Sequence, residues 1–443
     1  MSDDDATPLP FGWTEHANRW LIHAETHARP VPPLAGPATI RRVAFMSADR
    51  GPDLGLLQRQ MAELGKIPDH DLGAARQLEF ERDGHNVIWE MHNEFATLTW
   101  KSPLGDTNPW PKGIGLELHA NVALVSATRV EVIDDDSVDP ARLARLAENS
   151  LCHSAIYVGQ ARIATDFLPD PDRVVSFFVA ARSCGAQRRG VIVRRLLEIE
   201  TYRCFALLGL PVARQVGGRV QGYEHRLAAI MGEIGEGSTP EAHQTSLEAL
   251  HALSVEVGRT VEETTFRFSA TQAYGQIIAE RLTRLGEAPI GESTTIQRYL
   301  DNRVQPALAT CRAMEKRLTD LGTKVQRSIE LLDATITVSI QTQNQEVLDT
   351  ILRTAQSQYR LQETVEGLSI IAISYYSLGI LGYIAEGLHG LVPVDKPVLL
   401  TLLAPVVVLV VFFGIRRLRR TIHNGPPQAG SKHVLERKKR TDD

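Results

Sequence analysis

The sequence predicts an α+β N-terminal cytoplasmic domain, then a long antiparallel helical hairpin, then a two-helix transmembrane hairpin. Three observations carry that reading. Short segments up to about residue 180 alternate apolar and polar side chains with a period of two. Apolar residues from 191 to 351 recur at three- and four-residue spacing. Two uncharged apolar runs, 368–385 and 397–415, lie near the C-terminus. The implied divisions are 1–225 for the α+β domain, 239–366 for a coiled-coil-like stalk, 367–415 for the two spans, and 416–443 for a basic cytoplasmic tail. With 443 residues, 43% of them hydrophobic, the chain can bury a large core. A formal net charge of −5 argues against a nucleic-acid partner, which would need a basic surface to displace counterions.

In the first region, 76–100 is the clearest piece. Asp83-Gly84 is a type I′ turn signal between two alternating runs. After the turn, Val87, Trp89 and Met91 fall on one face, and Ile88, Glu90, His92 and Glu94 on the other. Further β-rich segments are 41–47, 119–125, 155–158 and 174–180, with helices expected at 53–64 and 140–151. This is an α+β order and not a strict βαβ repeat.

From 191 the pattern turns helical, with an apolar run that ends near Gly209 and Pro211. Thr239-Pro240-Glu241 reads as a helix start, a capping residue followed by Pro at the first helical position. Leu250, Val257, Val261, Phe268, Ile278, Leu282 and Leu285 then form an imperfect seam, broken by the segment 286–291. A second helix is expected from Ser293 or Thr294, with Thr294 and Gln297 as a capping box. Val304, Leu308, Cys311, Leu318, Leu321, Val325, Leu332, Ile336, Ile340, Val347 and Ile351 carry its stripe, and Pro306 is a kink site.

Each apolar run, at about 18 to 19 residues and about 1.5 Å per residue, is long enough as a helix to cross a hydrocarbon core of about 30 Å. Arg416, Arg417, Arg419 and Arg420 follow the second run, whereas the linker 386–396 carries a single Lys. Basic residues stay inside, so both termini are expected in the cytoplasm. The N-terminus has neither a basic n-region nor an apolar h-region of a secretory signal. The four arginines and the basic tail can contact anionic lipid head groups, or can be a solvated tail that only sets topology.

Cys152, Cys184, Cys204 and Cys311 are too widely spaced for a CxxC pair and read as small buried residues. Glu198, Glu200 and Arg203 are charged groups in an apolar helix; an Arg203 to Glu200 pair at i,i+3 is available, and a catalytic role is the alternative. If 25–29 is extended, Glu25, His27 and Arg29 share one face, as do Glu90, His92 and Glu94. Those faces can form a polar network. Alternatively His27 and His92 with the carboxylates can hold a divalent metal, and Arg29 an anion, which is the reading as a metal- or anion-dependent enzyme or ligand sensor. No Walker loop, GxGxxG, GxSxG or HExxH occurs, so no reaction and no cofactor is read from a motif.

The segments Glu25-Thr26-His27-Ala28-Arg29-Pro30, Trp89-Glu90-Met91-His92-Asn93-Glu94-Phe95, Leu196-Leu197-Glu198-Ile199-Glu200-Thr201-Tyr202-Arg203 and Thr364-Val365-Glu366-Gly367-Leu368-Ser369 resemble those of a bacterial family of uncharacterised membrane-anchored proteins. The resemblance covers nearly the whole chain. It implies a domain of unknown function with a two-span anchor in the bacterial inner membrane, and an Arg in the family where this chain has Met91. The architecture is also similar to that of CorA-type magnesium channels, although Gly382-Tyr383-Ile384-Ala385-Glu386-Gly387 stands where their Gly-Met-Asn would be. The expectation is therefore a membrane-anchored cytoplasmic protein of structural or regulatory type that forms homo-oligomers, with a cation channel and an enzyme or sensor as alternatives.

Overall fold

The computed structural model describes residues 16, 18–19, 22–23, 31–47, 53–68, 77–106, 121–234, 239–387 and 396–423, with side chains in the last segment described for 397–417. The chain divides into two compact units, 1–333 and 334–443.

The first unit is built on a nine-stranded mixed sheet. Its strands are β1 (Ala38–Ser47), β2 (Gln77–Arg82), β3 (His85–Met91), β4 (Phe95–Pro103), β5 (Val122–Ile133), β6 (Cys152–Ile156), β7 (Ala161–Thr165), β8 (Val175–Ala180) and the short β9 (Ala288–Pro289). Their spatial order is β2-β3-β4-β1-β5-β8-β7-β6-β9. Every neighbouring pair is antiparallel except β5 with β8. Asp83 and Gly84 have φ of 50° and 75°, the two positive values a type I′ turn needs to join β2 to β3. Val87 and Trp89 are fully buried with Leu57 and Met61 of helix α1 (Asp53–Gly65), which covers one face of that end of the sheet.

The helix expected at 140–151 is instead α2 (Pro140–Leu143) followed by a 3-10 turn, Glu148–Ser150. Asp139 caps α2, but the amide of Ala147 donates to the carboxylate of Asp166 at 2.9 Å, and that tertiary bond draws the chain out of the helical path.

The opposite face of the sheet is covered by α3 (Ala186–Leu207) and α5 (Pro240–Leu285), with α4 (Gly209–Glu233) extending away from α3. α3 ends at Leu207, next to Gly209 as expected, but the chain restarts at once as α4. The break is one residue, Leu208, and Pro211 falls in the first turn of α4, where its missing N–H costs no bond. α6 (Ile296–Arg303) and α7 (Gln305–Gly387) are separated in the same way at Val304, with Pro306 in the first turn of α7. The cap of α6 is Thr295, not Thr294, and Glu287 accepts from the amides of Ile296 (3.0 Å) and Gln297 (2.8 Å). A carboxylate from outside the helix thus replaces the expected capping box, and its charge suits the helix N-terminus.

α5 and the first part of α7 run antiparallel: Gly275 approaches Leu308, and Val257 approaches Gly322. They are not a pair on their own. α4 lies along both, joined by Arg226–Glu256 and Arg219–Glu263 to α5 and by Arg317–Glu224 to α7. The third helix closes the seam because Leu208 lets the chain continue past the sheet. A Cβ at Gly209 would collide with Thr271 Oγ1 and stand 3.1 Å from Cys311 Sγ, so only glycine allows α4, α5 and α7 to meet there.

The second unit holds the rest of α7 and α8 (Lys396–His423). Both are long and apolar enough to cross a membrane. Within this unit Leu368, Ile371, Leu402 and Val410 are 65% to 72% exposed.

Gly209→Ala is expected to destabilise the chain by about 1 to 3 kcal/mol, the cost of overpacking a tight contact. Gly218→Ala, at a helical position with nothing within 4 Å, should be neutral or stabilising by up to about 1 kcal/mol. Denaturation curves of the detergent-solubilised full chain check both signs.

Candidate functional site

Between the sheet and the helices of the first unit lies a small polar chamber of about 80 Å³. It exists because the helix-facing side of β1, β3 and β4 is not uniformly apolar. Arg42, Glu90, Thr97 and Thr99 occupy adjacent positions by register, Arg42 opposite Thr99 and Glu90 opposite Thr97. Arg42 Nε donates to Thr99 Oγ1 at 2.8 Å and Nη2 to Glu90 Oε2 at 2.9 Å, and both charged residues are buried. From the helices come Arg194 and Glu198 of α3 and Arg281 of α5. Arg194 Nε donates to Glu198 Oε1 at 2.9 Å and Arg281 Nε to Glu198 Oε2 at 2.5 Å. Burial alone would raise the Glu198 carboxyl, but the hydrogen bonds and charges of Arg194 and Arg281 outweigh it and hold the group below the ordinary carboxylate range. His92, stacked on Phe95 at 4.2 Å, and Tyr202 complete the wall with Thr201.

The strand alternation expected for Glu90, His92 and Glu94 stops at Met91. The His92 amide donates to the Phe95 carbonyl at 2.8 Å, which closes the turn into β4 and sends Glu94 toward α5. Arg267 grips Glu94 with two hydrogen bonds of 3.2 and 2.6 Å, and Tyr274 donates to Glu94 Oε1 at 2.6 Å. Burial, and then the bond to Glu94, push the Tyr274 phenol well above its ordinary value, so it stays a donor.

Glu198 and Glu200 are two apart on one helix and so face apart. Glu200 is 1% exposed and takes two hydrogen bonds of 2.7 Å from Arg203, the i,i+3 geometry available in the sequence. Burial opposes the Arg203 charge, but Glu200 raises its pKa overall. Cys204 donates to the same carboxylate, and burial followed by that charge pushes its thiol up to about 12. Cys152 is likewise pushed up to about 12, chiefly by burial, so neither is a thiolate nucleophile near neutrality.

The structure therefore brings Glu90, His92 and Glu198 to one chamber, places Glu94 beside it, and turns Glu200 and Arg203 away. Glu25, His27 and Arg29 lie outside the described residues. Among the described residues no three His, Cys, Asp or Glu side chains are grouped so as to hold a metal. Arg42, Arg194 and Arg281 are chamber residues that sequence reading did not single out. Arg194 and Glu198 carry the i,i+4 spacing of a helical ion pair, and Arg42 is a charge within an apolar strand; only the strand register and the crossing of α5 link them.

The family model described as a protein of unknown function (DUF3422) matches residues 14–422, and the chain belongs to that family. No curated protein and no solved structure matches the chain.

Glu198→Gln should destabilise the full chain by about 1 to 3 kcal/mol at pH 7, because it removes the carboxylate that the half-buried Arg194 and Arg281 share. A carboxyl with a depressed folded pKa contributes stability that is present above its unfolded pKa of about 4.3 and lost as pH falls through the folded value. The difference between the two proteins should accordingly shrink below about pH 4, which melting curves at pH 7 and pH 3.5 will read.

Proposed function

We propose that this member of the DUF3422 family is a membrane-anchored protein of structural or regulatory type, held in a bacterial inner membrane by α7 and α8 with both termini in the cytoplasm. The observation that carries the reading is the exposure of large apolar side chains along both helices of the second unit. Leu368, Ile371, Tyr375, Leu402 and Val410 lie 65% or more open, a surface that water would penalise and lipid would not. Pro405 inside α8 fits the same setting, since helices in bilayers tolerate proline better than helices in water. The four-arginine run after the second apolar stretch supports the orientation and a contact with anionic head groups.

A second observation favours assembly of copies. Before the first apolar stretch, α7 leaves Ile340, Val347, Ile351 and Tyr359 more than half exposed, with Asn344 between the first two at three- and four-residue spacing. A helix this long gains most of its stability from packing one face, and copies confined to one bilayer meet at high effective concentration. A polar residue within such a seam is the usual means of setting register.

Reporter fusions after Arg420 and before Thr239 should both read as cytoplasmic, and alkaline carbonate should leave the chain in the membrane pellet. A periplasmic reading from either fusion, or release by carbonate, would overturn the anchor. Ile351→Glu should abolish crosslinked homo-oligomers in native membranes while leaving the fold of the first unit unchanged, because an unpaired charge in an apolar seam is costly. Undiminished crosslinking would remove the assembly reading.

A further inference from the structure

Beside the polar chamber, and sharing Arg42, Glu90 and Arg194 with its wall, a cleft of about 170 Å³ runs between the sheet and α3. Ile40 and Ile88 of the sheet and Val193 and Leu197 of α3 make much of its lining apolar. Pro32, Pro33 and Leu34 complete the wall. This arm is pinned to α3 by the Leu34 amide, which donates to the Ala186 carbonyl at 2.9 Å, and by Gly190, where a Cβ would collide with the Pro32 carbonyl. Lys101 is an exposed residue of the same wall.

The cleft presents two acceptors that lack donors. Gln77 of β2 and Glu90 of β3 are register partners, so their side chains stand side by side on the face of the sheet that lines the cleft. Gln77 Oε1 is buried and has no hydrogen-bond partner among the described residues. Glu90 is 5% exposed; its Oε2 takes the bonds from Arg42 and Thr97, and Oε1 takes none among the described residues. A buried acceptor without a donor costs free energy that a donor on a ligand recovers. The charges, by contrast, are met. Arg42 pairs with Glu90, Arg194 with Glu198, and Arg281 with both Glu198 and Glu280. An anion in the cleft would face the open oxygen of Glu90. An ammonium group there would meet Arg42, which holds the same carboxylate, with Arg194 and Lys101 in the same wall. The group that fits is an uncharged donor.

We infer that this cleft binds a small uncharged primary carboxamide carried on an apolar ring, with the amide NH2 donating to Gln77 and Glu90 and the ring between Ile88 and Val193. An amide nitrogen carries two hydrogens, one for each acceptor, whereas a single hydroxyl would satisfy only one of them. The carbonyl of the same amide can accept from Lys101. The size follows from the cavity: a space of about 150 Å³ accommodates a benzene ring, so about 170 Å³ takes such a ring with its amide. The site lies wholly within the first unit and does not rest on the membrane anchor.

The test titrates four compounds of nearly the same shape, benzamide, acetophenone, benzoate and benzamidinium, at constant ionic strength into the detergent-solubilised full chain, read by melting temperature and by isothermal calorimetry. Benzamide should raise the melting temperature saturably and bind at least about tenfold more tightly than each of the others, because acetophenone lacks the donor and the other two carry charge. Gln77→Leu removes one acceptor and no side-chain hydrogen bond among the described residues. It should leave the melting temperature of the free chain unchanged or raised, weaken benzamide about fivefold or more, and leave acetophenone untouched. Ile88→Trp, which fills the ring space and keeps every ion pair, should weaken benzamide at least about tenfold, the scale of overpacking a filled site. Absence of saturable benzamide binding to the folded wild-type chain, equal binding by acetophenone or by either ion, or unchanged benzamide affinity in Gln77→Leu would each overturn the assignment. If Ile88→Trp fails to fold, the Gln77→Leu result and the four-compound comparison decide.

Discussion

The first unit is organised around charge that cannot reach water. Arg42 and Glu90 sit on the face of the sheet that α3 and α5 cover, Glu94 follows in the turn, and each must meet a partner inside the protein. Arg267 and Tyr274 meet Glu94 from α5, and Arg194 and Arg281 meet Glu198 from two different helices. Apolar contacts such as Phe95 on Phe205 tolerate small slips, whereas a bidentate guanidinium pair in a low dielectric does not. These bonds therefore set how far α5 slides along the sheet. They also explain the chamber: guanidinium and carboxylate groups hold the layers apart where close-packed hydrocarbon would have filled the space.

The helical layer depends on two single-residue breaks. Leu208 and Val304 each interrupt what would be a continuous helix, and each precedes a proline in the first turn of the next. Proline forbids the ring position beneath a helical carbonyl and is harmless once the helix restarts. The breaks allow α3 and α6 to follow the sheet while α4 and α7 leave it together with α5 beside them. Gly209, next to the first break, then permits the close approach of all three to Thr271 and Cys311.

Within the second unit the balance is reversed. Among its described residues the helices bury little of themselves, and Ser374 is a buried polar residue among exposed apolar ones. A helix that is apolar on most sides has no solution in water other than a partner or a bilayer. The same chain therefore contains a region in which charge is buried and a region in which hydrocarbon is exposed.

The elements with strong local signals were legible in the sequence. The type I′ signal at Asp83-Gly84, the Thr239-Pro240 start of α5 and the two apolar runs are local features, set by dihedral preference, an orphan amide or the length of an uncharged stretch, and such features survive without tertiary context. Ambiguity entered where a distant group competed with a local one. Asp166 took the Ala147 amide and shortened α2, Glu287 took the first amides of α6 from the expected capping box, and the turn at His92 ended the alternation that would have kept Glu94 beside Glu90. The chamber shows the limit most plainly. Arg194 and Glu198 could be paired from their spacing, but Arg42 and Arg281 are separated by more than two hundred residues and are joined only by strand register and helix crossing. The sequence by itself determined the β2–β3 turn, the start of α5 and the two apolar runs, because those follow from interactions within a few residues. Which buried charges meet, and the cavity they leave, was decided by the tertiary structure, because a charge removed from water takes whatever partner the packing of distant elements brings within reach.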